Sequence, residues 1–112
     1  MPTLTETVCA NLNRVRIEHD LSTRELSARS GMPQKTLHSL LNATHIPRLD
    51  TVDGVCKALL VSPHAVVTPG APINMLMSRR IGRLVETFAT LDPDQRDEVE
   101  KLITLLAHQN GA

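Results

Sequence analysis

Apolar residues recur at helical spacing along most of the chain. Val8, Leu12 and Val15 stand three or four apart, with Leu4 extending the stripe, and predict a first helix running to about Glu18. Thr3 precedes Glu6 by three residues, the spacing of a capping box. Asn11, Arg14 and Glu18 fall on the water side of that helix, and His19-Asp20 breaks it. Ser22 or Thr23 can cap a second helix with Glu25 in its first turn; Leu26 and Ala28 face inward and Gly31 ends it. Pro33 suits the first position of a third helix, where no amide donor is needed. Leu37, Leu40 and Leu41 form its buried face, and Gln34, Lys35, His38 and Ser39 lie off it. Asn42 tolerates a left-handed backbone and suits the turn that follows.

Thr44 to Leu49 contains Pro47 and reads as a loop. Asp50 is placed to cap a fourth helix that buries Val52, Val55, Cys56, Leu59 and Leu60. Ser62-Pro63 repeats the cap-then-proline signal for a short fifth helix, His64 to Val67. Thr68-Pro-Gly-Ala-Pro72 does not continue a helix and marks a linker. Beyond it Met77, Ile81, Leu84, Val85 and Phe88 form one stripe; Asp92-Pro-Asp-Gln95 opens another helix, striped by Val99, Leu102, Ile103 and Leu106. The pattern predicts an all-α chain in three parts: a five-helix domain at 1–67, a linker at 68–73 and a helical hairpin at 74–112. A hairpin alone is too small to bury its stripes. It needs helix five of its own domain or the hairpin of a second copy, and those nine stripe residues are assigned to a homodimer contact.

Composition narrows the class. Phe88 is the only aromatic among 112 residues, so the core is aliphatic, which suits packed helices better than sheets. Lys plus Arg equal Asp plus Glu at 12 each, so net charge gives no sign of nucleic-acid binding; any such site depends on local placement of basic groups. Residues 1–68 hold seven basic and six acidic groups, residues 69–112 five and six. Cys9 and Cys56 lack CxxC spacing and are expected as buried free thiols. His19, His38, His45, His64 and His108 are scattered without metal-ligand spacing, so neither metal nor cofactor is expected. No nucleophile–base pair or phosphate-cradling loop suggests an enzyme. No apolar run reaches a membrane span, and the first residues lack a signal-peptide pattern, so a cytoplasmic protein is expected.

Thr23 to Asn42 can be read as one unit: a short helix, a turn at Gly31 and a second helix locked on the first by Leu26, Leu37 and Leu40. With Leu21-Ser-Thr-Arg-Glu-Leu-Ser-Ala-Arg-Ser-Gly, Thr36-Leu-His-Ser-Leu-Leu-Asn42, Ile46-Pro-Arg-Leu49 and Val55-Cys-Lys-Ala-Leu59, the chain resembles the Cro/C1-type (XRE-like) helix-turn-helix regulators over about residues 8–67. The resemblance implies a lambda-repressor-like fold and a prokaryotic or phage transcriptional regulator, a repressor bound as a homodimer to an inverted repeat in double-stranded DNA. An antitoxin that binds a toxin and represses its own operon has the same fold and is the alternative. By the same resemblance Thr23 holds a phosphate. Pro33, Gln34, Lys35 and Ser39 face bases with His38 nearby, and Asn42, Thr44, His45 and Arg48 meet the backbone. Three positions depart from the family pattern. Ser27 replaces the usual Ala, Ala43 replaces a loop glycine, and Leu41 replaces a Glu that pairs with an arginine at the position of Arg16. Arg16 is thereby left to Glu25 or to DNA.

Overall fold

Thr3 starts the first helix as its spacing predicts, its Oγ1 accepting the Glu6 N–H at 3.1 Å. The computed structural model describes residues 2–110, and among them every regular element is a helix. In chain order these are α1 (Leu4–Glu18), α2 (Thr23–Ser30), α3 (Gln34–Leu41), α4 (Leu49–Leu59), α5 (Pro63–Val66), α6 (Ile73–Leu76), α7 (Arg80–Thr90) and α8 (Pro93–Gln109). They fall into two units, Met1–Gly82 and Arg83–Ala112.

The first unit has a single aliphatic core. Leu12 and Val15 of α1, Leu26 of α2, Leu37 and Leu40 of α3, and Val55, Cys56 and Leu59 of α4 are all buried in it. Val61, Ala65, Val66, Ala71 and Leu76 close the far side. The expected linker at 68–73 is therefore packed, not free. Ala71 is buried, and the turn of α6 that follows it seals the core with Leu76. Met77 and Ile81, assigned from their stripe to a dimer contact, are half-buried against this same core.

Polar groups on α1 hold that segment down, which corrects the water-facing assignment of Asn11, while Arg14 is exposed as expected and still reaches the segment with its guanidinium. Asn11 is 3% exposed; its Nδ2 donates to the Val66 carbonyl at 2.8 Å and to the Thr68 carbonyl at 3.0 Å. Arg14 Nη1 donates to the Ala71 carbonyl at 2.7 Å and to Asn11 Oδ1 at 3.3 Å. Periodicity put Asn11 outside because α1 alone has one apolar stripe. The carbonyls at the end of α5 need donors where water is excluded, and only the tertiary fold brings them there.

Helix ends account for the other differences. Three helices finish with a residue other than glycine in the left-handed region: Asp20 (φ 54°), Ala43 (φ 52°) and Leu60 (φ 59°). Each makes a Schellman pair, as where Thr44 N–H reaches the Ser39 carbonyl and Ala43 N–H the Leu40 carbonyl. Ala43 thus takes the unusual angle expected of Asn42, whose φ is −97°. Leu60, expected in the core, is 57% exposed because that turn rotates it away while Val61 enters instead. Ala28 is exposed too, on the outer face of α2. Arg48, not Asp50, precedes α4; Asp50 sits in the first turn and accepts the Thr51 N–H at 2.9 Å.

The second unit holds α7 from Arg83 onward and α8; the two helices are joined through Leu91 and Asp92, and Asp92 and Gln95 form a complete capping box. The two helices touch each other little, and neither buries a residue. Leu84, Leu102, Ile103 and Leu106 are exposed, as is Leu105, which the stripe omitted; Val85 is also exposed, and Phe88 and Val99 are half-covered.

Replacing Asn11 by Ala removes the amide that donates to the Val66 and Thr68 carbonyls and is expected to cost about 2–3 kcal/mol of stability, measured by urea denaturation. Asn11→Asp, which faces an acceptor to the same carbonyls, is expected to cost more.

Candidate nucleic-acid interface

The interface begins with a capping box at the start of α2. Ser22 Oγ accepts the Glu25 N–H at 3.0 Å and Glu25 Oε1 accepts the Ser22 N–H at 3.1 Å, so Ser22 and not Thr23 is the cap. Thr23 stands first in the helix, half-buried, near amides that the box leaves free. Gly31 ends α2 at φ 72°, a conformation glycine adopts without penalty, and its N–H reaches the Ser27 carbonyl at 2.9 Å. Ser27, which replaces the family's usual alanine, is used: its hydroxyl donates to the Met32 carbonyl at 2.5 Å across the turn. Pro33 then sits one residue before α3 with φ −59°, setting the chain for the helix without entering it.

Burial of Leu26, Leu37 and Leu40 fixes which way α3 faces. Pro33, Gln34, Lys35 and His38 are exposed and Ser39 is half-buried. The Schellman turn at Ala43 reverses the chain, so that residues 45–48 come back alongside α3. A shallow depression of about 280 Å³ results, bringing together Lys35, Ser39, His45 and Arg48 from the expected set. Thr36, Pro47 and Thr51 line it as well; the residue pattern did not single them out, although Thr36 lies between two assigned positions on α3. Thr23, Pro33, Gln34, His38, Asn42 and Thr44 lie outside the depression; Asn42 and Thr44 are exposed in the turn.

Charge along the segment that contains this surface differs from that of the whole chain. From Thr23 to Arg48 the basic residues are Arg24, Arg29, Lys35 and Arg48, and the only acid is Glu25. Arg48 Nε also meets Asp50 Oδ1 at 3.2 Å. Both groups are well exposed, and such a pair holds weakly enough for a phosphate to compete for the guanidinium. Among the described residues Arg16 forms no ion pair with Glu25. Its guanidinium is spent on Asn13 Oδ1 and the Leu21 carbonyl, where it braces the α1–α2 turn. Among the described residues no group of three or more His, Cys, Asp or Glu could hold a metal ion, and no helix is long and apolar enough to cross a membrane.

With this geometry in place, the family match is direct. Residues 11–65 match the family model of the Cro/C1-type HTH DNA-binding domain, and through this segment the chain belongs to that family. It is a DNA-binding transcriptional regulator by that membership. No curated protein and no solved structure matches the chain.

The capping box yields a pH prediction. The Ser22 backbone N–H, then its hydroxyl, hold the Glu25 carboxyl below its ordinary range, with the Arg29 charge a lesser cause. The folded pKa is thus lower than the unfolded one. The stabilisation is present above the unfolded value and is lost as pH falls through the folded value. Denaturation measured from about pH 6 to about pH 3 should show a shallower acid slope for Glu25→Gln than for the parent.

Proposed function

We propose that the protein is a repressor that binds an inverted-repeat operator as a homodimer, with α3 in the major groove of each half-site. The reading rests first on the surface shared by Lys35, Ser39, His45 and Arg48, which offers base-reading and phosphate-binding groups on one side of a buried leucine lock. Gln34 and Lys35, at the exposed start of α3, are the side chains for base edges: Gln34 suits adenine and Lys35 guanine. Arg48, His45, Thr44 and Asn42 meet phosphates after the helix, and Thr23 meets one at the start of α2. Pro33 sets the entry of α3, and His38 and Ser39 flank the reading residues. Such a protein acts in the cytoplasm of a prokaryote or a phage-infected cell.

The dimer reading is supported by α7 and α8. Leu84, Leu102, Ile103 and Leu106 are exposed, and two helices that scarcely touch cannot supply one another with a core. A second copy offers matching apolar helices, and a two-fold dimer fits a palindromic site.

The test has two parts. Against an operator found by selection of bound duplexes, Lys35→Ala is expected to weaken specific binding by about 1–3 kcal/mol and to relax the preference for guanine at the position it reads. Unchanged binding by Lys35→Ala and Gln34→Ala rejects α3 as the reading helix. Sedimentation equilibrium of the full chain is expected to give a dimer. A monomer rejects self-association, and a stable complex with an unrelated small protein in place of the dimer favours the antitoxin reading.

A further inference from the structure

Gly54 lies inside α4 without a positive φ, so nothing in its own conformation asks for glycine. Glycine there weakens the helix relative to alanine. Its neighbour across the fold supplies the reason for it. The Met32 methyl (Cε) lies in the space that a Cβ on Gly54 would fill, so any side chain at position 54 would overlap that methyl. Met32 is half-buried and packs against the core. It occupies the turn between α2 and α3, with only Pro33 between it and Gln34. Its backbone is tied to α2: the N–H donates to Ser30 Oγ at 3.3 Å, and the carbonyl accepts the Ser27 hydroxyl at 2.5 Å. Its side chain is tied to α4 by the notch at Gly54. The start of α3 has no side-chain cap of its own, so the turn residues must hold it.

We propose that Gly54 is a positioning residue for DNA reading. Its bare Cα is the seat that lets Met32 hold the start of α3, and with it Gln34 and Lys35, at the angle that meets base edges. The proposal rests on the reading of α3 given above and adds to it a residue that touches no DNA: Gly54 does not line the DNA-side depression. The Met32 thioether is flexible, so a Cβ at position 54 displaces it without breaking the core. The leucine lock of Leu26, Leu37 and Leu40 stays buried, and the loss falls on the turn, which no longer grips α4. Hydrogen bonds to base edges need the reading side chains held to a fraction of an ångström. Phosphate contacts carry no sequence information, and they supply binding to any duplex. Loosening the turn therefore lowers specific binding and spares non-specific binding.

Gly54→Ala in the full chain is titrated against the selected operator and against an unrelated duplex. Affinity for the operator is expected to fall about tenfold, the scale of one mismatched base pair. Affinity for the unrelated duplex is expected to be unchanged, and the urea midpoint no lower than the parent's, because alanine favours the helix. Met32→Leu/Gly54→Ala sets a side chain one atom shorter against one a carbon larger, and is expected to recover most of the lost affinity. Operator affinity of Gly54→Ala equal to the parent's overturns the proposal. So does a fall that the double variant leaves in place, or one that tracks a lower urea midpoint. The recognition-helix variants separate the two claims. If Lys35→Ala and Gln34→Ala leave operator binding intact, the reading of α3 fails and this proposal with it. If they weaken binding while Gly54→Ala does not, only the role of Gly54 fails.

Discussion

The crossing of α2 over α3 decides which side of α3 is left exposed, and that crossing rests on the shared burial of Leu26, Leu37 and Leu40. These three side chains lie on faces set by helical period, so their burial fixes the rotation of both helices about their own axes. Gly31, the Ser27 hydroxyl and Pro33 then set the path of the turn between them. None of these groups is required to touch DNA. Their effect is that Gln34, Lys35 and Ser39 cannot rotate away from the exposed side without exposing leucine to water.

The same unit depends on a small number of polar groups placed where water is absent. Asn11 satisfies two carbonyls at the end of α5 and is in turn held by Arg14, which also reaches Ala71. This cluster attaches the chain beyond α5 to α1 and brings Ala71 and Leu76 into the core. Arg16 does similar work at the α1–α2 turn. Its guanidinium is held by the Leu21 carbonyl and the Asn13 amide oxygen.

Apolar surface is distributed unevenly over the chain. The first unit buries most of its aliphatic residues but leaves Leu4, Ile46 and Leu49 outside; the second unit buries none completely. Exposed leucine and isoleucine on this scale carry a hydration cost that association removes.

The sequence alone determined α1 to α5 to within a residue or two, because apolar period, caps and prolines are local signals; it did not show the short α6. It also determined the helix-turn-helix and its exposed polar positions, since Leu26, Leu37 and Leu40 leave no other face for Gln34 and Lys35. What it did not contain locally, only the tertiary structure decided. Asn11 looks like a surface residue until the carbonyls of Val66 and Thr68, more than fifty positions away, are folded against it. Ala43 and Leu60 give no local warning of a left-handed turn; hydrogen bonds at the helix ends impose it on them. The segment 68–73 contains prolines and glycine and reads as a linker, yet Ala71 within it is buried and Leu76 just after it enters the core, because α1 supplies the donors and the core has room for both. Lys35, Ser39, His45 and Arg48 share one depression for the same reason: the turn at Ala43, not their spacing, folds the loop back onto α3.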